Sequence, residues 1–169
     1  MALPKKLKDM NLFGNGDSYQ GVIESFTQPK LTRKMEEWRG GGMDAPIDID
    51  LGMEKLTCEW AIGGIVPAIF DHFGTAELAR ELLRLEGFYE RDDTGETSAV
   101  TIVLRGRHSE IDMGEAKPGE NTSHKITSSL TYYKLTVDGK DVLEIDVPGM
   151  VFKVNGKDRY AARRRALGL

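Results

Sequence analysis

Apolar and polar residues alternate most regularly near the middle of the chain. Between Ala99 and His108, Val100, Ile102 and Leu104 fall on one side and Thr101 and Arg105 on the other, the period of a half-buried strand. Gly114–Asn121, which contains Pro118 and Gly119, supplies a reversal. The return arm, Ser123–Val137, is rich in Thr, Tyr and Ile, residues that suit a pleated surface. Its apolar phase slips partway, with Ile126 and Leu130 on even positions but Tyr133, Leu135 and Val137 on odd ones. A strand whose buried side changes face needs a bulge or a bend, or passes from one buried environment to another. The slip predicts such a device, with a neighbouring subunit as one candidate for the second surface.

The same alternation predicts strands at Gly21–Thr27, Lys30–Glu37, Ile47–Leu51, Lys55–Ile62, Leu83–Tyr89, Leu143–Val147 and Val151–Val154. Lys55–Ile62 is the clearest, with Leu56, Cys58, Trp60 and Ile62 inward. In Ile47–Leu51, Asp48 and Asp50 share one face, read as solvated, because the calcium-loop glycine and distal glutamate are missing. Asp138-Gly139 is a hairpin turn. Residues 1–18 are mixed and end in the turn cluster Gly14–Asp17, which is no phosphate loop, since no strand precedes it and no helix follows. Pro67 opens a short helix with Ile69, Phe70 and Phe73 on one side and Gly74 as its stop. Thr75 caps a further turn or two through Leu82. Asp158–Leu167 reads as a terminal helix, N-capped by Asp158, too short to stand alone and so required to dock. The expected fold is all-β, a sandwich or barrel-like single domain over residues 1–169, with one central helical segment and a short C-terminal helix.

Composition narrows the function more than it names one. A chain of 169 residues can bury a core without staples. Its net charge of −4 argues against a dedicated phosphate-gripping surface. Arg163-Arg164-Arg165 is basic but falls in a helix's last turn, where cations suit the macrodipole. The single cysteine, Cys58, excludes an internal disulfide, suits a reducing compartment and sits on a core face. Met1–Lys6 lacks the apolar stretch of a signal peptide, and no run reaches the roughly 20 apolar residues of a membrane span. The expectation is an intracellular product without a membrane anchor. His72, His108 and His124 form no metal spacing, although His108 and His124 could face each other as a polar pair across the central hairpin. No nucleophile elbow, Walker loop or zincin motif is present, so the residues point to no catalytic centre, cofactor or metal. A small β-barrel for an apolar ligand and an enzyme lacking any recognisable motif stay open at this point.

Several strings taken together narrow this. Met1–Pro4 with Met10–Phe13, Pro29–Lys34, Arg39–Met43, Tyr89–Gly95, Arg105–His108, Glu110–Asp112, Leu130–Leu135 with Asp138-Gly139, and Arg165–Leu169 resemble the major tail tube proteins of contractile-tailed phages and R-type pyocins. The resemblance spans essentially the whole chain and is weakest over residues 63–82. It implies a β-sandwich or barrel-like subunit with a flanking helix that forms hexameric rings, stacked into a hollow tube inside a contractile sheath, as in the related tube of type VI secretion systems. The implied partners are other copies of the chain, the tail sheath protein, baseplate proteins and a tape-measure protein in the lumen. DNA would pass without specific binding where the particle is a phage. The implied location is a virion tail or bacteriocin particle, made and assembled in the host cytoplasm. Acidic strand faces such as Asp48/Asp50 and Glu144/Asp146, repeated around a ring, suggest an acidic or neutral lumen that repels a polyanion.

One segment stands out as an expected subunit interface: Trp38, Arg39, Gly40, Gly41, Gly42 and Met43. Three consecutive glycines carry a large ordering entropy, and mounting Trp and Met on a mere connector would expose them for nothing. The expectation is a loop that is loose in the free subunit. On assembly Trp38 and Met43 would bury against a neighbour and Arg39 would pair with an acid there.

Overall fold

The central hairpin organises the molecule. The structure, a computed structural model, describes residues Met1–Leu169. Its strands, in chain order, are β1 (Lys6–Gly14), β2 (Asp17–Ser18), β3 (Ile23–Thr27), β4 (Arg33–Trp38), β5 (Ile47–Met53), β6 (Leu56–Ile62), β7 (Glu81–Glu90), β8 (Thr97–Asp112), β9 (His124–Val137), β10 (Lys140–Asp146), β11 (Val151–Val154) and β12 (Lys157–Asp158). One short helix, α1 (Ala161–Ala166), follows. The path β12-β11-β10-β9-β8-β7-β1-β2 forms one antiparallel sheet, and β6 and β3 branch from β9 as a second layer. No helix is long and apolar enough to cross a membrane.

The phase slip in the return arm is a bulge. Arg105 stands opposite Tyr132 but Gly106 opposite Leu130, so Thr131 is the extra residue. Before it, β9 pairs with β6 from His124 to Leu130; after it, β9 pairs with β10 from Tyr132 to Val137. The bulge thus turns one strand from one layer into the other, and both buried environments belong to the chain itself. Gly106 sits in the crossing: a Cβ there would lie 2.1 Å from the Ser129 carbonyl oxygen. Between the layers lies the core, with Trp60, Leu12, Ile102, Leu104 and Ile126 essentially inaccessible. Cys58 is part of it, and burial pushes its thiol up to about 12, so it behaves as a small apolar residue.

Four sequence expectations need correction. Residues 6–14 are a strand, hidden because a bulge at Lys8 throws Leu7 out of phase with Met10 and Leu12. Pro67–Phe70 is a single 3-10 turn with only Ile69 buried; no helix follows Thr75, whose hydroxyl instead accepts from the Glu77 N–H. The terminal helix begins at Ala161, with Tyr160 at its N-cap; Asp158 belongs to β12 and is paired with Arg164. Finally, His108 stands opposite Ser128 and His124 opposite Ile62, because the reversal centres on Pro118–Gly119 and Ser109 bulges out.

His108 belongs to a buried polar cluster that no local motif announces. Glu81 is 3 % exposed. Its carboxylate accepts from Asn15 Nδ2 at 2.5 Å and lies 3.0 Å from His72 Nδ1 and 3.6 Å from His108 Nε2. His108 Nδ1 meets Ser128 Oγ at 2.9 Å, and its ring packs edge-on to Trp60, which stacks on Tyr19. Burial holds the His108 imidazole below its ordinary value of 6.5; Glu81 opposes this and His72 reinforces it. The unfolded chain therefore takes up a proton below about pH 6.5 that the folded chain resists, and stability falls with pH there. The Tm of the wild type is expected to drop more between about pH 7.5 and about pH 5.5 than that of His108→Gln. Equal drops by differential scanning calorimetry would show that His108 contributes nothing to the acid sensitivity.

Candidate assembly surface

Strands β4 and β5 form a two-stranded arm that joins neither layer of the sandwich. Its register sets Trp38 opposite Ile47, Glu36 opposite Ile49, Glu37 opposite Asp48 and Met35 opposite Asp50. Residues directly opposite share a face, and alternation along β5 adds Leu51 to the side of Ile47 and Ile49. One face of the arm therefore carries Trp38, Ile47, Ile49 and Leu51, interrupted on β4 by Glu36 and Lys34; the other carries Glu37, Asp48, Met35 and Asp50. The apolar face is open: Trp38 is 57 % and Ile47 54 % exposed. The solvated aspartate face was legible in sequence, but the exposure of the apolar face was not. A usable signal lay across the ribbon, where Arg33, Lys34, Glu36 and Glu37 offer β4 no apolar stripe to bury.

At the tip, the expected interface residues divide: Trp38 ends β4 opposite Ile47, Arg39 follows it, and Gly40–Met43 close a turn. The Met43 N–H donates to the Gly40 carbonyl at 3.3 Å, with Gly42 at φ +81°, a value that favours glycine. Arg39 Nε donates to the Met43 carbonyl at 3.1 Å, and the Gly40 N–H points at Met43 Sδ, 3.1 Å away. The Trp38 indole and the Met43 thioether lie over Gly40, with Trp38 Nε1 3.4 Å and Met43 Sδ 3.6 Å from the position a Cβ would take, which is ordinary van der Waals contact. Arg39 remains exposed, with its guanidinium turned to the loop's own carbonyl rather than to any acid.

At the base, the Glu54 N–H donates to the Thr32 carbonyl at 2.8 Å and closes the ribbon. Arg33 reaches Asp50 with Nε and Nη2 at 2.8 and 2.9 Å. The guanidinium, followed by the Gly52 N–H, holds the Asp50 carboxyl below its ordinary range. The segment 63–80 adds further exposed apolar residues, Ile65, Phe70, Phe73 and Leu78. Large exposed apolar patches mark surfaces that meet other chains.

A model of the family described as phage tail tube protein FII matches residues 4–168. The chain belongs to the phage tail tube family. Full-length relatives agree. The tail tube protein of Escherichia phage P2 is 51 % identical over 172 residues, covering 100 % of both chains. The major tail tube protein of Serratia phage KSP20 is 41 % identical, covering 100 % of this chain and 99 % of its own. In fold, this tail tube chain is similar to a chain of the sheath–tube complex, in the extended state, of the extracellular contractile injection system PVC. That likeness has a TM-score of 0.60 at 8 % identity and covers 79 % of this chain and 91 % of the other. Nothing in these relatives supports a ligand-binding barrel, and the core is filled by Trp60 and its neighbours. The tail tube protein is a component of a virion tail or a tail-like particle.

Proposed function

We propose that copies of this tail tube protein form hexameric rings that stack into the hollow inner conduit of a contractile tail. The carrying observation is the arm: an apolar strand face left in solvent by a chain of the tail tube family. Its burial against the next copy would supply the drive for association. The unpaired outer edge of β3 offers a second means, strand addition. Residues 1–169 act as one tube domain. Trp38 and Met43 bury against the neighbouring subunit, and Arg39 exchanges its loop carbonyl for an acid there. The sheath surrounds the tube, the baseplate seats it, and a tape-measure protein occupies the lumen during assembly in the host cytoplasm. DNA, where carried, slides past an acidic or neutral wall without specific binding. The subunit works by shape and association, with no catalytic step, cofactor or metal.

Negative-stain microscopy of the purified protein tests this directly: tubes are expected, and a protein that stays monomeric at high concentration overturns it. Limited trypsin digestion tests the tip. Cleavage after Arg39 is expected in free subunits and protection in tubes; equal cutting in both states removes the tip from the interface.

A further inference from the structure

Met53 at the base of β5 packs against the core, and beyond it a side-chain assembly centred on Arg33 ties the arm to the C-terminal segment. While Nε and Nη2 hold Asp50, Nη1 donates to the Tyr160 hydroxyl at 3.1 Å. The guanidinium carbon lies 5.4 Å from the centre of the Phe152 ring, and Phe152 stacks on Tyr160 with centroids 5.3 Å apart and planes inclined by 27°. Arg163 covers Tyr160 at 4.3 Å. The Tyr160 N–H donates to Asp158 Oδ1 at 3.0 Å; Asp158 pairs with Arg164, which also reaches the Met150 carbonyl at 3.0 Å. The terminal segment thus offers the Arg33 guanidinium the Phe152 ring and the Tyr160 hydroxyl, while the Asp50 carboxylate on the arm takes its other two nitrogens.

We infer that Arg33 is the positioning residue of the arm. It locks β4–β5 to the C-terminal segment and presets the direction in which Trp38 and Ile47 meet the next copy. This rests on the assembly reading above. Because the strands of the arm pair only with each other, backbone bonding leaves its angle to the sandwich to the connections at residues 28–32 and 54–55. A ribbon free to swing would spend only part of its time pointing the right way, and its apparent affinity would fall by that fraction. Arg33 removes the deficit before docking. The task suits arginine specifically: a planar fork engages a carboxylate with two nitrogens, a hydroxyl with the third and an aromatic face together, which an ammonium cannot do.

The test measures the arm's direction apart from its docking. Cys58 is buried, with a thiol that stays protonated, so spin labels go to cysteines introduced by Gly41→Cys at the tip and Lys140→Cys at the exposed start of β10. In monomers of the full chain, pulsed electron resonance is expected to give a narrow distance distribution for the wild-type background. Arg33→Ala, Arg33→Lys and Tyr160→Phe are expected to give broader ones. Unlabelled Arg33→Ala should stay folded but need about tenfold more protein to form tubes, and Arg33→Lys should restore neither the narrow distribution nor the wild-type assembly concentration. A distribution as narrow in Arg33→Ala as in the wild type overturns the inference, as does full rescue by Arg33→Lys. Should the wild type itself form no tubes, the assembly reading falls while the distance distributions still decide on Arg33.

Discussion

Ile47→Asp is expected to abolish tube formation at concentrations where the wild type polymerises, while the monomer keeps its Tm. Ile47 stands opposite Trp38 at the outer end of the arm's apolar face and touches none of the sandwich core. In the free subunit the new carboxylate remains solvated, and surface changes of this kind shift stability by no more than about 0.5 kcal/mol. In the ring the same group would be carried into an apolar contact, where an unpaired charge is strongly disfavoured. Trp38→Ala should act in the same direction without adding charge. A buried tryptophan at the centre of an interface commonly contributes at least about 2 kcal/mol, equivalent to about a thirtyfold rise in the concentration needed for assembly. Sedimentation and light scattering across a dilution series measure both effects. Normal assembly by both variants would move the interface off the arm, towards Ile65, Phe70, Phe73 and Leu78.

The second large effect concerns the fold itself. Gly106→Ala places a methyl carbon 2.1 Å from the Ser129 carbonyl oxygen and 2.9 Å from Leu130 Cα. Both are backbone atoms of the paired strand, so no side chain can rotate out of the way. Relief requires β8 and β9 to part where the bulge hands β9 from β6 to β10, and both layers lose register together. A destabilisation of about 3 kcal/mol or more is expected, visible as a lowered urea midpoint. Gly41→Ala is the control: nothing lies within 4 Å of its Cβ position, so its midpoint should stay close to wild type.

Periodicity made the sandwich legible wherever one face is buried and the other wet. It reads Leu56–Ile62 and the core face of β8 correctly, and it detects the Thr131 bulge through the even-to-odd shift between Leu130 and Tyr133. The same rule concealed β1, because an unrecognised bulge at Lys8 looks like the absence of a pattern. The segment 63–80 misled for another reason. Phe70 and Phe73 sit at helical spacing but are exposed, and only Ile69 reaches the core. The arm's tip was found from composition, three glycines between Trp38 and Met43, since residue types unsuited to a connector are visible locally. Its apolar face was not, because alternation separates two faces without saying what covers either. Glu81 was invisible for the reason that governs all buried polar groups: its partners Asn15, His72 and His108 come from distant parts of the chain. A carboxylate at the start of a strand otherwise reads as solvated.

The length of the β8–β9 pairing has a mechanical side. The two strands run antiparallel from Val100/Val137 to Asp112/Lys125, and β9 alone joins the layers. A pull along these strands loads the ladder's hydrogen bonds in parallel, in shear, whereas a pull across them would break the bonds one after another. Gly106 and Thr131 sit near the middle of that ladder, so a load entering through β6 leaves through β10 without passing through a loop. A subunit built this way behaves under thrust as a continuous beam rather than as two plates joined by flexible cord.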